Sequence, residues 1–434
     1  MFFFSWNRLA VGVALLSALL AQAQAQNNPQ QVVKPPQAQA WIDIATFSGM
    51  GMPGMGAAGG GPMGAVLGGL FGGGPKGNSF GQTQGGSGGR WVDVTLFSRA
   101  NPQLAEAQQA VPAGFLPTPL KLQAPKEGPR TTGADTPDED REPEPHYERP
   151  KGRILMYWGC DKTIRPGQPR VLDMATATPA DLSKFFVARR ATQRGAHSAP
   201  GRPVWPSRDD TRMLPAQASL VGEHAFSGAG VPEGFRFQIP AAQDLMPALT
   251  LNQQQVDGVT ELSWNAIPAA RAYFAAAMGG SGGNGDGSEM VIWTSSELPD
   301  NGFGLIDYQT NAAVDRWLKE KVLLAPSTTQ CSIPKGVFKG EGGAMLRLIA
   351  HGSELNLVHP PRPSDPKQPW EQLWAAKLRV KSVASAMLGM NMPAATTGQP
   401  GAGAEPEAPA QPQQQAEKEK KVKPLDVLRG LLGR

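Results

Sequence analysis

Histidine and cysteine are scarce in this chain, and long apolar runs are missing. The five histidines, at 146, 197, 224, 351 and 359, are scattered, with no His-Glu-x-x-His, no His-x-His and no spacing suited to zinc. Gly222-Glu-His-Ala225 is therefore not a metalloprotease helix. A Gly-x-Ser-x-Gly elbow is also missing, since Ser227 in Phe-Ser-Gly-Ala-Gly lacks the first glycine. With 41 basic and 37 acidic residues, the net charge of +4 is too small and too mixed to imply nucleic acid. The apolar run Leu9 to Leu20 is shorter than the roughly 20 residues a spanning helix needs, and no later segment is apolar enough to span. The absence of an Asn-x-Ser/Thr sequon favours a bacterial envelope over a eukaryotic secretory route.

What is present begins with an address. Arg8 precedes the apolar run, and Ala21, Ala23 and Ala25 form a small-residue ladder, so residues 1–25 read as a secretory signal peptide cleaved near Ala23 or Ala25. No cysteine stands near the cut to take a lipid, and the mature chain is expected to be periplasmic or secreted. In an oxidising compartment Cys160 and Cys331 form either a disulfide or two buried thiols; the Cα separation that decides is not written in sequence. The 52 glycines and 41 prolines make up more than a fifth of 434 residues, close to the composition of disordered chains.

Residues 26–150 are accordingly expected to be mostly flexible. The exception is an internal repeat, Trp41-Ile-Asp-Ile-Ala-Thr-Phe-Ser48 and Trp91-Val-Asp-Val-Thr-Leu-Phe-Ser98. Alternation makes both copies strands, paired or equivalent, with Ile or Val on one face and Trp, Asp and Phe on the other; they are expected to join the first domain. The Gly/Met tract between them, Gly49 to Gly89, has too little to bury to fold alone. Its Gly72 to Ser79 stretch lacks the Gly-Lys-Ser/Thr order of a phosphate loop. Met50, Met52, Met55 and Met63 have the softness for Cu(I) but no accompanying His or Cys, so no metal or cofactor is assigned. Asn101 to Ala110 suggests a short helix, and Leu116 to Pro150 a linker or solvated loop whose acidic cluster, Asp138 to Glu142, lacks calcium-loop spacing.

From 151 the text is globular and mainly β. Two β-sandwich-like domains are expected, at 151–244 and 245–388, flanked by disordered Gly/Pro-rich segments, with a helix at 311–323 inserted in the second. A helix is also expected at Ala180 to Arg189, after Thr178-Pro179. The single Gly279 to Ser288 loop reads as a hairpin tip, since calcium-binding glycine repeats act by stacking. Residues 389–434 read as a disordered tether closing on a short basic amphipathic segment, Pro424 to Arg434, fit to touch a membrane surface or a partner.

Interaction candidates are His197, Trp205, Arg208 and Arg212 in an irregular basic stretch, and Glu297, Asp300 and Phe303 in Glu-Leu-Pro-Asp-Asn-Gly-Phe-Gly304. A tryptophan among arginines suits a hot spot or glycan platform, or else plugs a gap beneath a long loop. Leu262-Ser-Trp264, Ala270-Arg-Ala-Tyr273 and the strand spacing of about 245–385 resemble a fibronectin type III or related immunoglobulin-like sandwich. Tyr-Trp-Gly-Cys160 and Ser295 to Leu305 are similar to phrases in exported bacterial proteins of no assigned activity. The reading that follows is a non-enzymatic envelope protein, a protein-binding or scaffolding module with a protein or glycan partner. The alternative is an envelope polysaccharide-binding protein or hydrolase, with Glu297 and Asp300 as its carboxylates.

Overall fold

A computed structural model describes residues 31–49, 77–85, 88–126, 152–186, 189, 195–281, 289–338 and 343–388. The signal peptide, the four methionines of the Gly/Met tract, the 138–142 cluster, His146, Arg194, most of the 279–288 loop and the 389–434 tail lie outside these residues. The chain forms β1 (Val33–Lys34), β2 (Ala38–Gly49), β3 (Gly89–Ser98), β4 (Glu106–Ala110) and β5 (Leu120–Gln123). Next come β6 (Arg153–Trp158), β7 (Arg170–Asp173), helix α1 (Pro179–Phe185), β8 (Val204–Trp205), β9 (Gly222–Ser227) and β10 (Arg236–Ile239). The remainder is β11 (Leu251–Val256), β12 (Val259–Trp264), β13 (Ala272–Ser281), β14 (Glu289–Thr294), α2 (Asn311–Lys319), β15 (Gln330–Ile333), β16 (Ala344–His351), β17 (Leu355–His359), β18 (Trp370–Glu371) and β19 (Trp374–Leu388).

The protein is mainly β, and most strands enter one sheet, in the order β10-β9-β4-β5-β8-β3-β2-β19-β16-β13-β14-β6-β7, with β17 also on β19. The repeated motif explains the centre of this sheet. Its two copies are β2 and β3, paired antiparallel so that Asp43 faces Asp93. β2 then lies parallel to β19 from Trp374↔Ala38 to Ser385↔Gly49, and β6 lies parallel to β14. Strands from before residue 245 thus extend both sides of the run β19-β16-β13-β14, and the ladder crosses the expected boundary at 244/245. A second sheet, β11-β12-β15, packs on the same apolar core: Leu262, Trp264 and Ile333 join Ile42, Val94, Tyr273, Leu346 and Leu378.

Two local expectations are overturned. Residues 106–110 form a strand rather than the end of a helix. Their burial alternates, with Ala107 and Gln109 inward, because β5 and β9 occupy both sides of the segment and supply ladder partners that a lone helix lacks. Within the stretch expected to be linker, Leu120 and Leu122 point inward as β5. The expected helices are present but shorter. α1 starts on a capping box between Thr178 and Asp181 and ends at Phe185. α2 is capped by Thr310 and buries Val314 and Trp317 against Phe274, Ile349 and Val383 on the outer face of the sheet. Each such side chain is worth about 1.5–3 kcal/mol. Asp315, four before Lys319, instead pairs with Arg271 at 2.5 Å.

Cys160 and Cys331 are bonded, with an S–S distance of 2.09 Å and Cα atoms 4.9 Å apart, which ties the end of β6 to β15 in the smaller sheet. Among the described residues no helix is long and apolar enough to cross a membrane.

Candidate functional site

Alternation along β2, β3 and β19 sends Ile42, Ile44, Val92, Val94, Leu378 and Val380 into the core, and so sends Asp43, Asp93, Arg379 and Lys381 to the opposite face. Register aligns Asp93, Asp43 and Arg379 in one row across three strands, and places Lys381 beside His351 of β16. Loops cover the row, and all five side chains are buried.

Arg379 donates from Nε and Nη2 to the two oxygens of Asp43, at 2.7 and 2.5 Å. Asp43 also accepts from the Ala196 amide at 3.0 Å, where Gly195 leaves room for the guanidinium. Tyr308 sits beneath both cations, with Arg379 4.3 Å and Lys381 4.1 Å from its ring centroid, and its hydroxyl donates to the Ile44 carbonyl. Lys381 donates to Asp307 at 2.8 Å. Asp93 accepts from the amides of Gly81 and Thr83 and from the Thr83 hydroxyl.

Burial sets the titration of the row. It pushes the Asp93 carboxyl up to about 7 against its three donors, with Asp43 adding to the rise. It pulls the Lys381 ammonium below its ordinary value despite Asp307, and lowers His351 to about 3, with Lys381 contributing. Burial would lower Arg379 too, but Asp43 more than compensates and holds it above the usual arginine range. Asp43 and Asp307 face Arg379 and Lys381, and Arg347 also lies close enough to Asp307 to feel its charge. Chemically, the row fastens three loops to the sheet. Among the described residues neither ring nitrogen of His351 has a hydrogen-bond partner.

The residues singled out from sequence fall in three separate places. His197 is exposed at the margin of the row, with its ring against the edge of Trp41 and its Nδ1 2.8 Å from the Gly195 carbonyl. Trp205 is fully buried in β8 against Phe115. Arg208 reaches only its neighbour Asp209, while Arg212 grips both oxygens of Asp210 and bonds Thr118. Glu297 pairs with Arg165 at 2.8 Å. Asp300 is 1% exposed and pairs with Arg189 at 2.5 Å; burial raises its carboxyl, opposed by the Gly302 amide and Arg189. Phe303 packs half-buried beside Met278 and Ile292. No tryptophan among the described residues is exposed.

Of the row itself, only the two aspartates carried a sequence signal, as charges repeated at the centre of two apolar strands. Arg379 and Lys381, on alternate positions of β19, were legible only as an alternation. Among the described residues no group of three or more His, Cys, Asp or Glu side chains is placed to hold a metal. No protein family, curated protein or solved structure matches this chain.

Proposed function

We propose that the chain is an exported, non-enzymatic envelope protein that serves as a protein-binding or scaffolding module. The observation that carries the reading is strand addition: β2 and β6 extend opposite sides of the run β19-β16-β13-β14, which widens one sheet into a large framed surface. The region 245–385 is read as fibronectin type III-like or immunoglobulin-like. In support, the three strands β11-β12-β15 share a core with that four-strand run, the chain crosses between the sheets at β12–β13, β14–β15 and β15–β16, and Trp264 packs on Tyr273 at 5.6 Å. The Cys160–Cys331 bond fits an oxidising compartment, periplasmic or extracellular.

The alternative of a polysaccharide-binding protein or hydrolase draws less support. Glu297 and Asp300 are each engaged by their own arginine, and the tryptophans that would stack on sugar rings are buried or half-buried. The partner is proposed to be an envelope protein, with the basic C-terminal segment touching it or a membrane surface. Capture from an envelope extract, using the mature chain with and without residues 391–434, tests this. Partners lost on tail removal support tethering, whereas polymer cleavage abolished by Glu297→Gln would overturn the non-enzymatic reading.

A further inference from the structure

The segment Gly77 to Gly85 lies on the outer face of the sheet and carries no charged side chain of its own. Asn78 fixes one end, its amide donating to the Thr211 carbonyl and its Nδ2 to the Arg212 carbonyl, both at 3.1 Å. The other end rests on Asp93. Gly81 N reaches Oδ1 at 2.9 Å, Thr83 N reaches Oδ2 at 3.1 Å, and the Thr83 hydroxyl donates to the same oxygen. One carboxyl group therefore seats half of the segment.

That carboxyl is badly placed to carry a charge. Asp43 stands directly opposite it on the next strand, and the two are 2% and 1% exposed. The arginine of the row, Arg379, turns both arms of its fork onto Asp43. Of the other charged or titratable groups around the row, Lys381 is engaged by Asp307, Arg347 lies toward the same Asp307, His351 stands beside Lys381 on β16, the Tyr308 hydroxyl is committed to Ile44, and the exposed His197 ring points its Nδ1 at the Gly195 carbonyl. A buried carboxyl facing a second one on the next strand, with the arginine on the far side of that neighbour, is disfavoured in its ionised form.

We propose that Gly77–Gly85 is a proton-dependent latch, seated on the sheet while Asp93 holds a proton and lifted when Asp93 ionises beside Asp43 and must reach water. The rise of the Asp93 carboxyl to about 7, caused first by burial, agrees with this geometry. The sign follows from linkage. In the lifted state Asp93 is hydrated and returns to the ordinary carboxylate range near 4, so the seated state binds the proton more tightly and rising pH favours lifting. Each pH unit between about 4 and 7 shifts the balance about tenfold, and the shift levels off above 7.

Amide hydrogen exchange on the full chain, corrected for intrinsic rates, reads the latch. Protection at Gly81 and Thr83 is expected to fall about tenfold between pH 5 and 6, to level off above pH 7, and to become independent of pH in Asp93→Asn. Protection that stays constant or rises with pH in the unsubstituted protein, or the same fall in Asp93→Asn, overturns the proposal. Carboxyl carbon NMR of the unsubstituted protein supplies a check that does not depend on a variant folding. A transition for Asp93 above pH 6 supports the latch, and one below pH 5 sinks it.

Discussion

Arg379 and Asp43 meet as a two-pronged ion pair in register on neighbouring parallel strands, with side chains only 4% and 1% exposed. A pair so placed contributes modestly against an apolar replacement of both members, because desolvation offsets most of the attraction, yet losing one member strands the other's charge. Arg379→Met is accordingly expected to cost about 3–5 kcal/mol in denaturant unfolding. The double variant Asp43→Leu with Arg379→Met is expected to cost less than the single one. Additive losses in the double variant would show that the pair is not coupled.

Gly195 is a place where only hydrogen fits. A Cβ there would lie 1.6 Å from Nη2 of Arg379 and 2.5 Å from an oxygen of Asp43. Gly195→Ala is expected to destabilise by at least about 1–3 kcal/mol, the usual cost of overpacking, and to lower exchange protection at the Ala196 amide. Gly114→Ala, which meets nothing within 4 Å, is the control and should stay close to neutral.

Trp205 separates a core role from a docking role. It is fully buried against Phe115, so Trp205→Ala should lose about 3–5 kcal/mol of stability. Arg208→Ala should change stability by no more than about 0.5 kcal/mol, since Arg208 is exposed and reaches only Asp209. A Trp205→Ala protein of unchanged thermal stability that had lost a partner would contradict the buried assignment.

The disulfide spans 171 positions, and closing so long a loop restricts the unfolded chain strongly. Cys331→Ser is expected to lower stability by about 2–5 kcal/mol. The exported, denatured but unreduced protein should take up no thiol reagent, and full labelling would show that the bond does not form.

Two buried groups give opposite pH dependences. His351 is held near 3, against 6.5 in an exposed chain, so its contribution is complete above pH 6.5 and is lost as pH falls toward 3. Between pH 6.5 and 4.5 that loss is roughly 2–3 kcal/mol. Asp93, raised to about 7, contributes stability that is present at acid pH and lost as pH rises from about 4 through 7. Between pH 4 and 6.5 the two dependences oppose each other, so relative to the unsubstituted protein the unfolding free energy of His351→Leu should fall more as pH rises from 4 to 7, and that of Asp93→Asn should fall more as pH drops from 6.5 to 4. An unchanged acid-side slope in His351→Leu would show that the ring does not titrate in this window.

Period-two patterns are local, and the sequence shows them plainly. The repeat at 41–48 and 91–98, the strands ending at Trp264 and beginning near Tyr273, and the face of α2 bearing Val314 and Trp317 are all legible from alternation or helical spacing, because each side chain's direction depends only on its neighbours in the chain. β4 is not legible: Glu-Ala-Gln-Gln-Ala has little intrinsic preference for a strand, and becomes one because β5 and β9 offer ladder partners on both sides. The same limit applies to the charge row. Alternation determines that Asp43 and Asp93 share a face with each other, and that Arg379 and Lys381 share one. Only the tertiary structure decides that these are the same face, that Asp43 takes the arginine while Asp93 holds a loop, and that Trp205 lies inside. Those outcomes depend on register between strands hundreds of residues apart, which is set by the packing of the whole core and not by any segment of it.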